Sequence, residues 1–193
     1  MRKAPSAPLI VGIGGAAREG SSTEKALTFA LRRAEAAGAS TKLFDGAFLA
    51  RLPLFRPQGG DLSHEHQDLL DAVRAADGFI VATPGYHGSV SGLVKNALDS
   101  LESLRNGPRP YFEGRPVGTI ITADGSQAAG TTLTALRAII HAMRGWPTPF
   151  GAALNATVSL FDEAGECCDA KDAWQLTMVA EQVMEFTRMR AAS

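Results

Sequence analysis

The sequence predicts an α/β domain built on a parallel sheet covered by helices on both faces. Three observations predict it. Short apolar runs alternate with segments of helical period five times along the chain. The 193 residues are enough for one full core. The glycines gather just after the predicted strands, where an open parallel sheet places its ligand loops.

The elements follow in order. Leu9–Ile13 is a continuous apolar run, as expected of a strand buried on both faces. Leu27, Ala30, Leu31 and Ala34 repeat at helical spacing, and Gly38 stops that helix. Residues 41–44 read as a second strand, and Leu69, Val73 and Ala76 mark a second helix that ends near Gly78. Phe79–Ala82 is a third strand, followed by a helix on Leu93, Ala97, Leu101 and Leu104. Val117–Ala123 is a fourth strand, followed by a helix on Leu133, Leu136, Ile140 and Met143. Phe150–Leu154 is a weaker fifth strand, and Leu176, Val179, Val183 and Phe186 mark the last helix. Right-handed crossovers between such strands make the sheet parallel. Two proline-punctuated segments, residues 45–60 and 106–116, fall outside the alternation. Leu52, Leu54, Phe55, Tyr111 and Phe112 within them form an expected apolar patch for a twofold mate.

Composition narrows the function classes. Nineteen Lys and Arg oppose twenty Asp and Glu, a net charge of −1, and no basic stripe offers a nucleic-acid surface. The two longest runs without charge, residues 78–94 and 145–161, are broken by Gly, Pro, Ser and Thr, so no membrane span is expected. The apolar stretch Leu9–Ile13 is too short for a signal peptide, and the expected location is the cytoplasm. Cys167 and Cys168 are adjacent and read as two reduced thiols. His64 and His66 have no third ligand in reach by sequence, so no metal is expected.

Three loops carry the chemistry. The first, residues 12–24, joins close-approach glycines to Arg18 and the hydroxyls of Ser21, Ser22 and Thr23. Ser21 and Glu24 have capping-box spacing, so a helix starts near Ser22 and aims its unpaired N–H groups at the loop. That is a design for a terminal phosphate. Gly12-x-Gly14-x-x-Ala17 also fits a dinucleotide fingerprint, with Asp45 for a ribose, but the capping signal comes seven residues after Gly14. The second loop, residues 83–92, is polar with one aromatic and suits a flat heterocycle. Lys95, Asn96 and Asp99 behind it are expected to brace it. The third, residues 122–130, again carries small residues and donors.

Residues 84–99, Pro-Gly-Tyr-His-Gly-Ser-Val-Ser-Gly-Leu-Val-Lys-Asn-Ala-Leu-Asp, resemble the P-x-Y-N-x-S-x-x-G-x-L-K-N-A-I-D stretch of the NADPH-dependent FMN reductase family. The first loop is similar to that family's G-S-x-R-x-x-S, and the element order agrees from Leu9 to Phe186. The resemblance implies a flavodoxin-like three-layer sandwich, a five-stranded parallel sheet in the order 2-1-3-4-5, spanning residues 1–193 as one FMN-binding domain with 1–7 flexible. It implies FMN as cofactor and NADPH or NADH as co-substrate. Gly15, Arg18, Ser21, Ser22 and Thr23 would lie at the phosphate. Pro84, Gly85, Tyr86, His87, Gly88 and Ser89, with Thr122, Ala123, Asp124, Gly125, Ser126 and Gln127, would surround the ring and ribityl chain. It implies a homodimer or homotetramer whose interface borders the flavin, and a partner monooxygenase as one outlet for reduced FMN. Gly15 stands where the family has Ser, which leaves Ser22 as the replacement hydroxyl, and His87 stands where the family has Asn. No side chain is needed as a proton donor, because the cofactor carries the chemistry. An FMN-bound dehydrogenase or reductase of one specific metabolite is the alternative; a flavodoxin-type electron carrier and a nucleotide-binding dehydrogenase stand further off.

Overall fold

The computed structural model describes residues 7–57 and 62–192. The flexibility expected for residues 1–7 therefore falls almost wholly outside the described residues. Five parallel strands form the sheet: β1 (Leu9–Gly14), β2 (Ser40–Phe44), β3 (Gly78–Tyr86), β5 (Pro116–Ala123) and β6 (Trp146–Asn155), in the spatial order β2-β1-β3-β5-β6. Counted as parallel strands, this is the expected order 2-1-3-4-5. A sixth, β4 (Ser89–Val90), pairs antiparallel with the end of β3.

Helices α1 (Ser22–Ala36) and α6 (Ala170–Ala192) cover one face; α3 (His64–Ala75), α4 (Gly92–Ser100) and α5 (Ser126–Ala142) cover the other. The strand alternation decides which side chain goes where. Val11, Ile13, Phe79, Val81, Val117 and Ile121 point to the α3–α5 layer. Ile10, Ile80, Ala82, Ile120 and Leu154 point to the α1–α6 layer. The central strands β1, β3 and β5 are therefore buried on both faces, whereas the edge strands β2 and β6 leave part of their length exposed.

Several expectations are corrected. The last strand begins at Trp146, four residues before the expected Phe150. Trp146 lies 57% exposed at an open sheet edge, with its ring centroid 5.5 Å from that of Phe186. The apolar patch for a mate does not form. Phe112 is fully buried and stacks 4.5 Å from Phe79, and Leu52 is 6% exposed beside the short helix α2 (Gly46–Leu49). Only Leu54 of the five stays fully open, at 78%. Residues 58–60 lie outside the described residues.

The irregular segment before β5 is anchored by a buried arginine. The Arg115 guanidinium donates to Val73 O at 2.5 Å, to Ala76 O at 3.1 Å and to Tyr111 O, and sits 4.8 Å from the Phe79 ring centroid. Val73 and Ala76 are the last carbonyls of α3, so a cation there answers the helix dipole. Burial pulls this guanidinium down to about 10.

Candidate functional site

The C-terminal ends of β1, β3 and β5 open into one cleft of about 1000 Å³. Three separate sequence segments meet there, as the switch point of an open α/β sheet requires.

The first wall is the β1–α1 loop. Ala16, Ala17, Arg18, Ser21, Ser22 and Thr23 line the cleft. The helix starts at Ser22 as expected: Ser21 Oγ accepts from Glu24 N at 3.2 Å and caps it. The Glu24 carboxyl takes a backbone hydrogen bond from Gly20. Burial, then the charges of Asp45 and Glu19, push that carboxyl above its ordinary value. Thr23, 2% exposed, places its hydroxyl 2.6 Å from that of Thr122.

Gly15 does not line the cleft. Its φ is +132°, and a Cβ there would come within 2.6 Å of Gly46 N. The glycine lets the loop pack on the start of α2, a structural duty rather than a ligand contact. The dinucleotide reading fails at the same place. Helix α1 opens eight positions after Gly14, and the Asp45 carboxylate is spent on capping α2 through Phe48 N at 2.7 Å.

The second wall is a hairpin, not the ten-residue loop the sequence suggested. β3 runs on through Pro84 and Gly85 to Tyr86, and Tyr86 pairs with Ser89 of β4. The turn residues His87 and Gly88 have φ of +53° and +75°, the two-residue left-handed turn that suits a tight hairpin. Its base is pinned by Thr83 Oγ1, which accepts from Ser91 N at 3.0 Å and donates to Pro84 O. Its tip rests on α5: a Cβ at Gly85 would meet Thr132 Oγ1 at 2.9 Å, and one at Gly88 would meet Thr131 Oγ1 at 2.9 Å. Pro84, Gly85, Tyr86 and His87 line the cleft; Gly88 and Ser89 are not among its lining residues. Tyr86 is 58% exposed at the rim.

The third wall combines Thr122, Ala123, Asp124 and Gly125 with the first turn of α5. Ser126 and Gln127 are helical, not loop. Gln127 lines the cleft, while Ser126 does not. Gly125 caps α5 without any side-chain hydrogen bond.

The sequence reading ended its contact residues at Ser89, although its second loop ran on to Gly92, and so left the start of α4 out of the wall. Ser91, Gly92 and Leu93 line the cleft, with Ser91 Oγ accepting from Val94 N at 3.3 Å. The Ser91 capping position was the available signal. Ala128 and Ala156 were also missed, and nothing in two alanines marks them. Asn96 braces as expected, though toward a different segment: Oδ1 accepts from Phe55 N and Nδ2 donates to Pro53 O. Lys95 and Asp99 pair at 2.6 Å. His66 meets Ser63 Oγ, and no group of three metal-ligating side chains exists among the described residues. No helix among them is long and apolar enough to cross a membrane.

Similarity to known proteins agrees with this geometry. The FMN-dependent NADPH-azoreductase of Staphylococcus aureus is 31% identical over 132 residues, covering 67% of this chain and 66% of that protein, so the match spans just under two thirds of the relative's length. Among solved structures, the flavoenzyme NAD(P)H:(acceptor) oxidoreductase from Paracoccus denitrificans superposes with a TM-score of 0.79 at 20% identity, over 94% of this chain and 98% of that one. The flavodoxin, WrbA-like protein from Agrobacterium tumefaciens gives 0.66 at 16% identity, over 95% and 99%. At these identities the structures speak for the fold, which is flavodoxin-like. The sequence profile of one family matches residues 8–158, most of the length, and the chain belongs to the NADPH-dependent FMN reductase family.

Proposed function

We propose that residues 1–193 act as a single FMN-binding domain and that the protein is an NAD(P)H-dependent flavin oxidoreductase. The observation that carries this is the meeting of a phosphate-type loop, a hairpin rim and a helix start without a side-chain cap in one cleft. The residues fit the group. Arg18 and the Ser22 hydroxyl stand where α1 opens, which favours a phosphate dianion. Gly92 and Gly125 have nothing within 4 Å of where a Cβ would stand, so backbone is open to a flat ring along that wall.

In this reading Arg18, Ser21, Ser22 and the backbone N–H groups at the start of α1 hold the phosphate. Pro84 to His87, Thr122 to Gly125 and Gln127 hold the ring and its side chain, with Ser91, Gly92 and Leu93 added to the wall. Bound FMN supplies the hydride chemistry between NAD(P)H and the second acceptor. The protein positions both partners and presents N–H donors from the starts of α4 and α5. The proposed assembly is a homodimer or homotetramer, and the proposed outlets are free flavin for a monooxygenase, a quinone, or an azo or nitro compound.

The test is a fluorescence titration with FMN, FAD and riboflavin, followed by NADH and NADPH oxidation with an acceptor screen. FMN binding well above riboflavin, with steady oxidation of either dinucleotide, is the expected result. Equal affinity for FMN and riboflavin would overturn the phosphate assignment. Bound FMN with no dinucleotide oxidation would leave an electron carrier instead. Sedimentation velocity at micromolar concentration checks the assembly, and a fully active monomer would rule it out.

A further inference from the structure

A second, smaller cavity of about 270 Å³ adjoins the phosphate loop on its outer side. Arg18, Glu19, Gly20, Ser22 and Lys25 form one wall, and Ser159, Leu160 and Phe161 form the other. Arg18 and Ser22 also line the large cleft, so the two spaces meet at the loop. The Ser159–Phe161 wall is held in place by a hydrogen bond from Ser159 Oγ to Phe161 O and by the pairing of Phe161 with Cys167. Neither Arg18 nor Lys25 forms an ion pair or side-chain hydrogen bond among the described residues. Two cations from different turns therefore face a polar space with their charge uncommitted, beside a single carboxylate, Glu19.

We infer that this cavity receives the phosphorylated ribose of NADPH, with Lys25 as the residue that reads the 2′-phosphate. The inference rests on the flavin reading above. A 2′-phosphate is a terminal dianion, which the Lys25 ammonium matches while Arg18 and Ser22 stay with the flavin phosphate. Glu19 can accept from the free 3′-hydroxyl of the same ribose, a role carboxylates play toward ribose in nucleotide sites. Position also favours the dinucleotide. The cavity shares Arg18 and Ser22 with the large cleft, so NADPH can lay its nicotinamide toward the hairpin and its adenosine end past the flavin phosphate. Lys25 lines only the small cavity, so it separates this subsite from the flavin phosphate site, which Arg18 borders too.

The experiment uses the FMN-loaded protein and two fragments, adenosine 2′,5′-bisphosphate and AMP, in calorimetric titrations at low salt. The wild type should bind the bisphosphate about ten-fold or more tightly than AMP. Lys25→Ala should bring the two within about two-fold, and Lys25→Arg should restore the difference. FMN affinity, measured separately by fluorescence, should be the same in all three proteins. Equal binding of both fragments by the wild type would overturn the inference. So would loss of FMN affinity in Lys25→Ala, which would put Lys25 at the flavin phosphate, or displacement of FMN by the bisphosphate, which would make the two spaces one. A wild type that takes up no FMN brings down the flavin reading itself, and this inference with it.

Discussion

The hydroxyls of Thr23 and Thr122 lie 2.6 Å apart, both buried, although 99 positions separate them in the chain. The pair joins the first turn of α1 to the end of β5, two of the three walls of the cleft. Each hydroxyl has the other as its partner, and both residues are less than 5% exposed. Removing one leaves a buried polar group unpaired, while removing both leaves a matched apolar contact.

Thr23→Val or Thr122→Val alone should therefore cost about 1–3 kcal/mol of stability. The double variant should lie close to the wild type. Urea unfolding of the four proteins gives the coupling energy directly. Additive losses would mean that the two hydroxyls act independently.

Arg18→Ala should weaken FMN binding by about ten-fold or more, since a hydrogen bond to a charged group contributes about 1.5–3 kcal/mol. Riboflavin affinity should hardly change. Fluorescence titration with both flavins checks this, and an equal loss for both would make Arg18 structural.

His87 holds a left-handed φ of +53° at the hairpin turn. Asn is more at home there, so His87→Asn should keep the turn and leave stability unchanged or raise it by about 0.5 kcal/mol. Any change in FMN affinity in that variant then reports the side chain rather than the backbone. A β-branched residue at the same position should lower the melting temperature and FMN affinity together.

Arg115→Ala should destabilise the protein by about 2–3 kcal/mol, because the last carbonyls of α3 and that of Tyr111 lose their charged donor. Chemical denaturation checks the loss. FMN affinity in the folded fraction should be untouched, since Arg115 is not among the cleft's lining residues.

Cys167 and Cys168 should react unequally. Burial, followed by the nearby charges of Asp172 and Glu166, pushes the Cys167 thiol up to about 11. It therefore stays protonated through pH 8 and becomes thiolate only as the pH approaches 11, whereas Cys168 is exposed. Iodoacetamide at pH 8 should label Cys168 first, as mass spectrometry of the peptide would show.

Local chemistry made much of this molecule legible in its sequence. The central strands could be read because burial on both faces demands apolar runs such as Leu9–Ile13 and Phe79–Ala82. The start of α1 could be read because Ser21 satisfies an orphan N–H within its own turn. Arg18, Ser21, Ser22 and Thr23 share one loop, so their convergence needed no tertiary information. What only the tertiary structure decided depends on partners distant in the chain. Gly15 is glycine because Gly46 lies against it, and Phe112 is core because Phe79 is beside it. The hairpin at His87 was hidden because its returning strand β4 is two residues long and its support comes from Thr131 and Thr132 on α5. Thr23 and Thr122 were each read as ligand donors; their mutual bond appears only once β5 is placed two strands away from β1, with β3 between them. Periodicity and capping act over a few residues and leave their mark in the sequence, whereas contacts across the sheet leave none until the chain has closed on itself.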